Sequence, residues 1–217
     1  MNPASIEKAD MLAEIAEMRR IFAMIEHSLL KSNPAALVVT SGLPVEGKTT
    51  MAAGLASIAA RHYGKRVLAV DLHWYTPGLH NWFGLQPTFD VEKFRQGGSI
   101  TDQVQPSGLD NLDVLTARAP GGDEGLWFRE KHVLGARIMN QAKESYDFVV
   151  ADTSSIFPTN RRMMDPVTIA KAADGVALVV MANVTPRQHV KRANLFLANA
   201  GANVLGVVVN QWKNPLV

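Results

Sequence analysis

The 217-residue sequence contains no cysteine. That excludes a disulfide framework, a thiolate-bound zinc centre and a thiol nucleophile. It has no apolar run near the ~20 residues of a membrane span. Its N-terminal stretch carries acids and lacks the short apolar core of a secretion signal. Charge of either sign is hardly in excess: 22 Lys and Arg against 20 Asp and Glu leave a formal charge of +2. A chain so balanced is not, as a whole, a nucleic-acid binder. The six histidines show no zinc-ligand spacing. What remains is an ordinary globular composition, long enough for an α/β domain with a substantial core. A cytoplasmic protein is the simplest reading.

Against this background one stretch stands out. Gly42 to Thr49 reads GLPVEGKT and satisfies the G-x-x-x-x-G-K-[ST] pattern of a phosphate-binding loop. Gly42 and Gly47 let the backbone curl so that successive N–H groups point at phosphate oxygens, with Pro44, Val45 and Glu46 of the loop also placed against the nucleotide. Lys48 would reach the β- and γ-phosphates, and the Thr49 hydroxyl would ligate Mg²⁺. The flanks suit the motif. AALVVT (Ala35 to Thr40) predicts a buried strand, and Met51 to Gly64 predicts a helix closed by glycine. A helix N-terminus adds its partial positive charge to such a site.

Elsewhere the pattern alternates. Ser5 to Lys31 predicts one helix with a stripe of Met11, Ile15, Met18, Phe22, Ile25 and Leu29, packed on its own domain or facing a partner. Asn33-Pro34 stops it. Arg66 to Asp71, Asn111 to Arg118, Tyr146 to Thr153, GVALVVMAN from Gly175 and Val204 to Asn210 predict further strands. Helices are expected near Val91 to Gln96, Leu126 to Ser145, Met164 to Ala172 and Pro186 to Ala200, with the Gly-rich APGGDEG before the second of these. The rest of residues 72 to 110 is expected to be irregular. This order implies a doubly wound, mainly parallel sheet of P-loop NTPase type with helices on both faces. The division is residues 1–33 as an N-terminal helix and 34–217 as one domain. The strands at Ala35, Arg66, Tyr146 and Ala177 should be central. The glycine loop, Asp71 and Asp152 should then meet at the strands' C-terminal ends, where open sheets bind ligands. Magnesium keeps several waters and needs carboxylates to hold them; Asp71 and Asp152 supply them. Trp74, Trp82 and Phe83 are either core or a partner patch. Arg187, Lys191 and Arg192 are either a solvated helix face or an anion patch.

The motifs VVTSGLPVEGKTTMAAGLA, GKRVLAVDLHWYTPGLHNWFGL, YDFVVADTSS and ADGVALVVMANVTPRQHVKRANLFLANAGANVLGVVVN together resemble the bacterial tyrosine kinases of capsule and exopolysaccharide synthesis, within the MinD/ParA-like P-loop ATPases. The resemblance runs from about Glu17 to Asn210. It implies ATP or ADP with Mg²⁺ as cofactors, with Lys48, Thr49 and Thr50 on the phosphates and metal. It implies Asp71 acting on metal-bound water or as base toward a hydroxyl, Asp152 holding the metal through water, and Asn210 near the adenine. It also implies a partner, the cytoplasmic segment of a membrane polysaccharide co-polymerase, which would bring the protein to the inner membrane. Self-association is implied as well.

The departures from that family are informative. His73 stands where the family has its second acid, and imidazole is a poor ligand for hard Mg²⁺. Tyr75 and Thr76 replace paired arginines, and Ser154 and Ser155 replace paired prolines. Of an assembly motif E-x-x-R-x-x-R, Glu17 and Arg20 are present while Ala23 replaces the second arginine. The sequence ends at Val217 without the family's tyrosine-rich tail. The expectation is therefore weak ring assembly and little tyrosine autophosphorylation. A nucleotide-binding regulator with slowed chemistry is the alternative reading. A partitioning or division-site ATPase is another, less suited because Leu43 and Pro44 stand where those relatives carry an extra lysine.

Overall fold

The structure, a computed structural model, describes residues 11, 13–118, 127–157 and 163–211. Its strands are β1 (Ala35–Ser41), β2 (Val67–Asp71), β3 (Gln105–Pro106), β4 (Leu112–Leu115), β5 (Phe148–Asp152), β6 (Gly175–Met181) and β7 (Val204–Asn210). They form one seven-stranded sheet in the order β3-β4-β2-β5-β1-β6-β7. Every pairing is parallel except that of β3 with β4. The central strands β2, β5, β1 and β6 are buried at every position. Their unbroken apolar, β-branched runs are what a strand covered on both faces requires.

Between the strands lie α1 (Ala16–Ser28), α2 (Lys48–Tyr63), α3 (Leu79–Phe83), α4 (Val91–Arg95), α5 (Trp127–Ser145), α6 (Pro166–Ala170) and α7 (Arg187–Asn199). They cover the sheet as two layers. Leu37 and Val39 point to the face packed by α1, α2 and α3; Ala36 and Val38 point to the face packed by α5, α6 and α7. Alanines at 52, 53, 56, 59 and 60 are all buried in α2. Their small side chains let that helix lie close to the sheet while α1 packs across its flank. Phe22 of α1 sets its ring edge-on against Tyr63 at 4.6 Å and Phe148 at 5.4 Å. Trp74 and Phe83 belong to the core, with Trp82 half-buried against it.

Several boundaries differ from the sequence expectation. The N-terminal helix is not continuous. Ile15 takes an extended backbone (φ −71°, ψ 118°) ahead of α1, which turns Met11 and Ile15 out of the buried stripe. They are 70% and 41% exposed, while Met18, Phe22, Ile25 and Leu29 are buried. The helix ends at Ser28, before the Asn33-Pro34 stop; its residues 5–10 lie outside the described set. APGGDEG also lies outside it. The 72–110 region contains α3 and the antiparallel β3 besides α4, and the strand expected over 111–118 narrows to Leu112–Leu115. No described helix is long and apolar enough to cross a membrane.

Candidate functional site

β1 ends at Ser41 and α2 begins at Lys48, so Gly42–Gly47 makes the whole connection. Gly47 is the N-cap of α2 with φ 91°, a left-handed backbone that glycine adopts without strain. A Cβ there would also run into the Asn210 carboxamide at the end of β7. Gly42 lies against the backbone of His189 in α7, 3.5 Å from its carbonyl oxygen to an added Cβ. At the tip, Val45 has φ 62° and is 87% exposed. A β-branched residue in that region costs on the order of 1–2 kcal/mol. No side chain caps the N-terminus of α2, which leaves its first N–H groups free to meet an anion.

Three acids and a lysine gather around this turn. Lys48 is 5% exposed. Burial pulls its pKa below the ordinary lysine value, and the charges of Asp152 and Glu46 oppose that pull. Asp71 and Asp152 end neighbouring strands in direct register. Asp71 is fully occupied by its own loop: Oδ1 accepts from His73 N–H at 3.0 Å, and Oδ2 accepts from Gly78 N–H and Leu79 N–H, each at 3.0 Å. Burial raises its pKa and those bonds oppose the rise. Asp152 differs. Both of its carboxylate oxygens are buried and meet no partner at bonding geometry among the described residues. Burial, then the Asp71 charge, pushes it up to about 8, against the pull of the nearby Thr49 side chain, Lys48 and Thr153 N–H.

A cavity of about 330 Å³ opens beside Lys48, walled by Pro44, Val45, His73, Tyr75 and Ser155. His73 shares a 3.0 Å hydrogen bond with Thr76 Oγ1. Burial, then the Lys48 charge, pushes its imidazole down to about 4, so it stays neutral at pH 7. At the position where the sequence resemblance implies a second acid, this chain offers an uncharged ring.

The structure thus brings together the residues singled out by sequence: the glycine loop, Lys48, Thr49, Asp71 and Asp152. Thr50 follows in the first turn of α2, half-buried. Asn210 meets the same loop from the other side, its Nδ2 donating to the Glu46 carbonyl at 3.1 Å. Arg187, Lys191 and Arg192 are exposed on α7, with Arg192 over the Phe157 ring at 4.9 Å. Two participants had no sequence signal. Thr185 donates its hydroxyl to Glu46 from 139 positions away, and Gly78 packs against Thr49, 3.3 Å from its methyl to an added Cβ.

The donor set fits a hydrated hard cation. A buried carboxylate with two unsatisfied oxygens is costly unless something pairs with it, and waters on Mg²⁺ are suitable donors. Among the described residues no group of three or more His, Asp or Glu could hold a metal by itself. Magnesium beside phosphates needs no such cage.

The CobQ/CobB/MinD/ParA nucleotide-binding domain family matches residues 37–216. The tyrosine-protein kinase YwqD of Bacillus subtilis (strain 168) is 30% identical over 203 residues, covering 91% of this chain and 81% of that protein. The succinoglycan biosynthesis transport protein ExoP of Rhizobium meliloti (strain 1021) is 28% identical over 193 residues, which span 86% of this chain but only 23% of ExoP. Among solved structures, the chimerical protein CapA2B2 superposes with a TM-score of 0.74 at 26% identity, covering 91% of this chain and 84% of that one.

Proposed function

Since the chain belongs to the CobQ/CobB/MinD/ParA nucleotide-binding domain family, we propose that it is a kinase-like ATP-binding protein of capsule or exopolysaccharide synthesis. The observation that carries the proposal is the Asp152 carboxylate, buried with both oxygens unpaired at the strand end beside Lys48 and Thr49. The uncapped α2 N-terminus and the loop N–H groups from Pro44's successor Val45 to Thr50 bind the phosphates. Lys48 neutralises the β- and γ-phosphate charge. Thr49, Asp152 and Asp71 would hold Mg²⁺, which would supply further charge neutralisation. The cavity beside Lys48 would admit an acceptor hydroxyl whose oxygen attacks the γ-phosphorus as the bond to the ADP oxygen breaks; Asp71, bonded to the cavity-wall residue His73 and with its pKa raised by burial, would take the hydroxyl proton. The domain unit is residues 34–217, with α1 of the 1–33 segment packed on it. The protein works in the cytoplasm, recruited by the cytoplasmic segment of a membrane polysaccharide co-polymerase.

A second reading, a nucleotide-dependent regulator with slow chemistry, is favoured by a specific feature. Asp71 already accepts three backbone N–H bonds, and hydrogen bonds to a carboxylate weaken it as a base. Incubation with γ-labelled ATP and Mg²⁺, with and without the co-polymerase segment, separates the two readings by phosphate transfer against slow release alone. The binding site itself is tested by calorimetry. Lys48→Ala should weaken MgATP binding by about 10-fold or more, since a charge-assisted bond contributes ~1.5–3 kcal/mol. Equal affinities of wild type and variant would overturn the assignment.

A further inference from the structure

Glu46 is an acid inside a loop built to hold phosphates, where its charge repels the ligand. It is nevertheless 2% exposed, and a buried carboxylate persists only where it is well bonded. Its two oxygens are committed to protein partners. Oε2 accepts from Leu43 N–H at 2.8 Å, which closes the loop on itself. Oε1 accepts from the Thr185 hydroxyl, whose oxygen in turn accepts from Met181 N–H at 2.8 Å. The Glu46 carbonyl accepts from Asn210 Nδ2 at 3.1 Å, and the Asn210 carbonyl accepts from Ala182 N–H at 2.8 Å. The glycine loop, the 182–185 connection and the end of β7 are thereby joined in one hydrogen-bonded unit. The glycine at 47 belongs to it, since any Cβ there would displace Asn210.

We infer that Glu46 is the positioning residue of the phosphate loop. It locks the loop to Thr185 and Asn210, so that the N–H groups are aimed before the ligand arrives. Phosphate binding then moves, or resists moving, the loop and the end of β7 together. The inference rests on the nucleotide reading above. The Glu46 side chain need not touch the ligand; it acts through the backbone that does. Preset donors bind without the cost of ordering them at the moment of binding. Thr185 matters for the same reason, because losing its hydroxyl would leave a buried Glu46 oxygen unpaired.

Calorimetry with two probes, MgADP and magnesium pyrophosphate, tests this on the full chain. Glu46→Ala and Thr185→Val should each weaken both probes by about tenfold, the equivalent of one buried hydrogen bond. The double variant should bind no more weakly than Glu46→Ala alone, because both remove the same link. Glu46→Gln, which keeps an oxygen for Leu43 N–H, should recover most of the affinity. Thr185→Val preserves shape and guards against a variant that fails to fold. If Glu46→Ala and Thr185→Val lower the unfolding temperature yet bind within twofold of wild type, while Lys48→Ala does not bind, Glu46 is only structural and the inference is overturned. If Lys48→Ala also binds normally, the nucleotide site itself is misplaced.

Discussion

At the C-terminal end of β5, Asp152 is held up to about 8 by burial and by the neighbouring Asp71 charge, against an ordinary value near 3.9 in an unfolded chain. In that window the folded state keeps a proton that the unfolded state has released. The contribution to stability is therefore fully present below about pH 4 and is lost as pH rises through about 8. Asp71 is shifted the same way by burial and adds to the slope. Without nucleotide, the melting temperature of the wild type should fall between those limits more steeply than that of Asp152→Asn, which cannot ionise and also relieves Asp71. Parallel profiles measured by differential scanning calorimetry would show that the ionised carboxylate is already satisfied. The pair of acids was legible in the sequence, because an Asp closing an apolar run is a local pattern. The environment that makes one of them bonded and the other unpaired was not. It depends on the loop at Gly78 and Leu79 folding back onto Asp71.

At the scale of elements, α1 docks chiefly through the row Met18, Phe22 and Ile25, beside an ion pair of Glu26 with Lys65. Phe22 is fully buried between Tyr63 of α2 and Phe148 of β5. Phe22→Ala should cost about 3–5 kcal/mol by removing apolar area and leaving a void, read as a lower urea midpoint. A loss under about 1 kcal/mol, the size of an exposed-site change, would mean that α1 does not dock as described. The row itself follows the 3.6-residue period and was readable from sequence. Its interruption at Ile15 was not, since neither glycine nor proline marks it and the extended backbone there has no residue-type signature. The strands were readable for the opposite reason: long β-branched runs admit little else. β3 escaped notice because it is a two-residue edge strand ending at Pro106, too short to show alternation. Thr185 escaped because its partner Glu46 is remote in sequence, and hydrogen bonds between distant loops leave no periodic trace.

For the whole molecule, any self-association turns on the exposed face of α1. The outward face of α1 carries Glu17, Arg20 and Ala23, all exposed, opposite the buried Met18, Phe22 and Ile25. The sequence resemblance to the capsule kinases implies that this face would assemble rings, with an arginine expected where Ala23 stands. Alanine is the better helix former. Within one α1, an arginine at 23 would face Arg20 one turn earlier, a like-charge neighbour that destabilises a helix by a few tenths of a kcal/mol. Besides Glu26 three residues on, an arginine there could pair with an acid on another copy, and exposed Glu17 offers such an acid. Wild type should therefore be a monomer or dimer by light scattering. Ala23→Arg should raise the mass at equal concentration, reversed by added salt, since exposed ion pairs are screened. Its melting temperature should barely change. A stable ring from the wild type, or identical masses for the two proteins, would show that position 23 does not govern assembly.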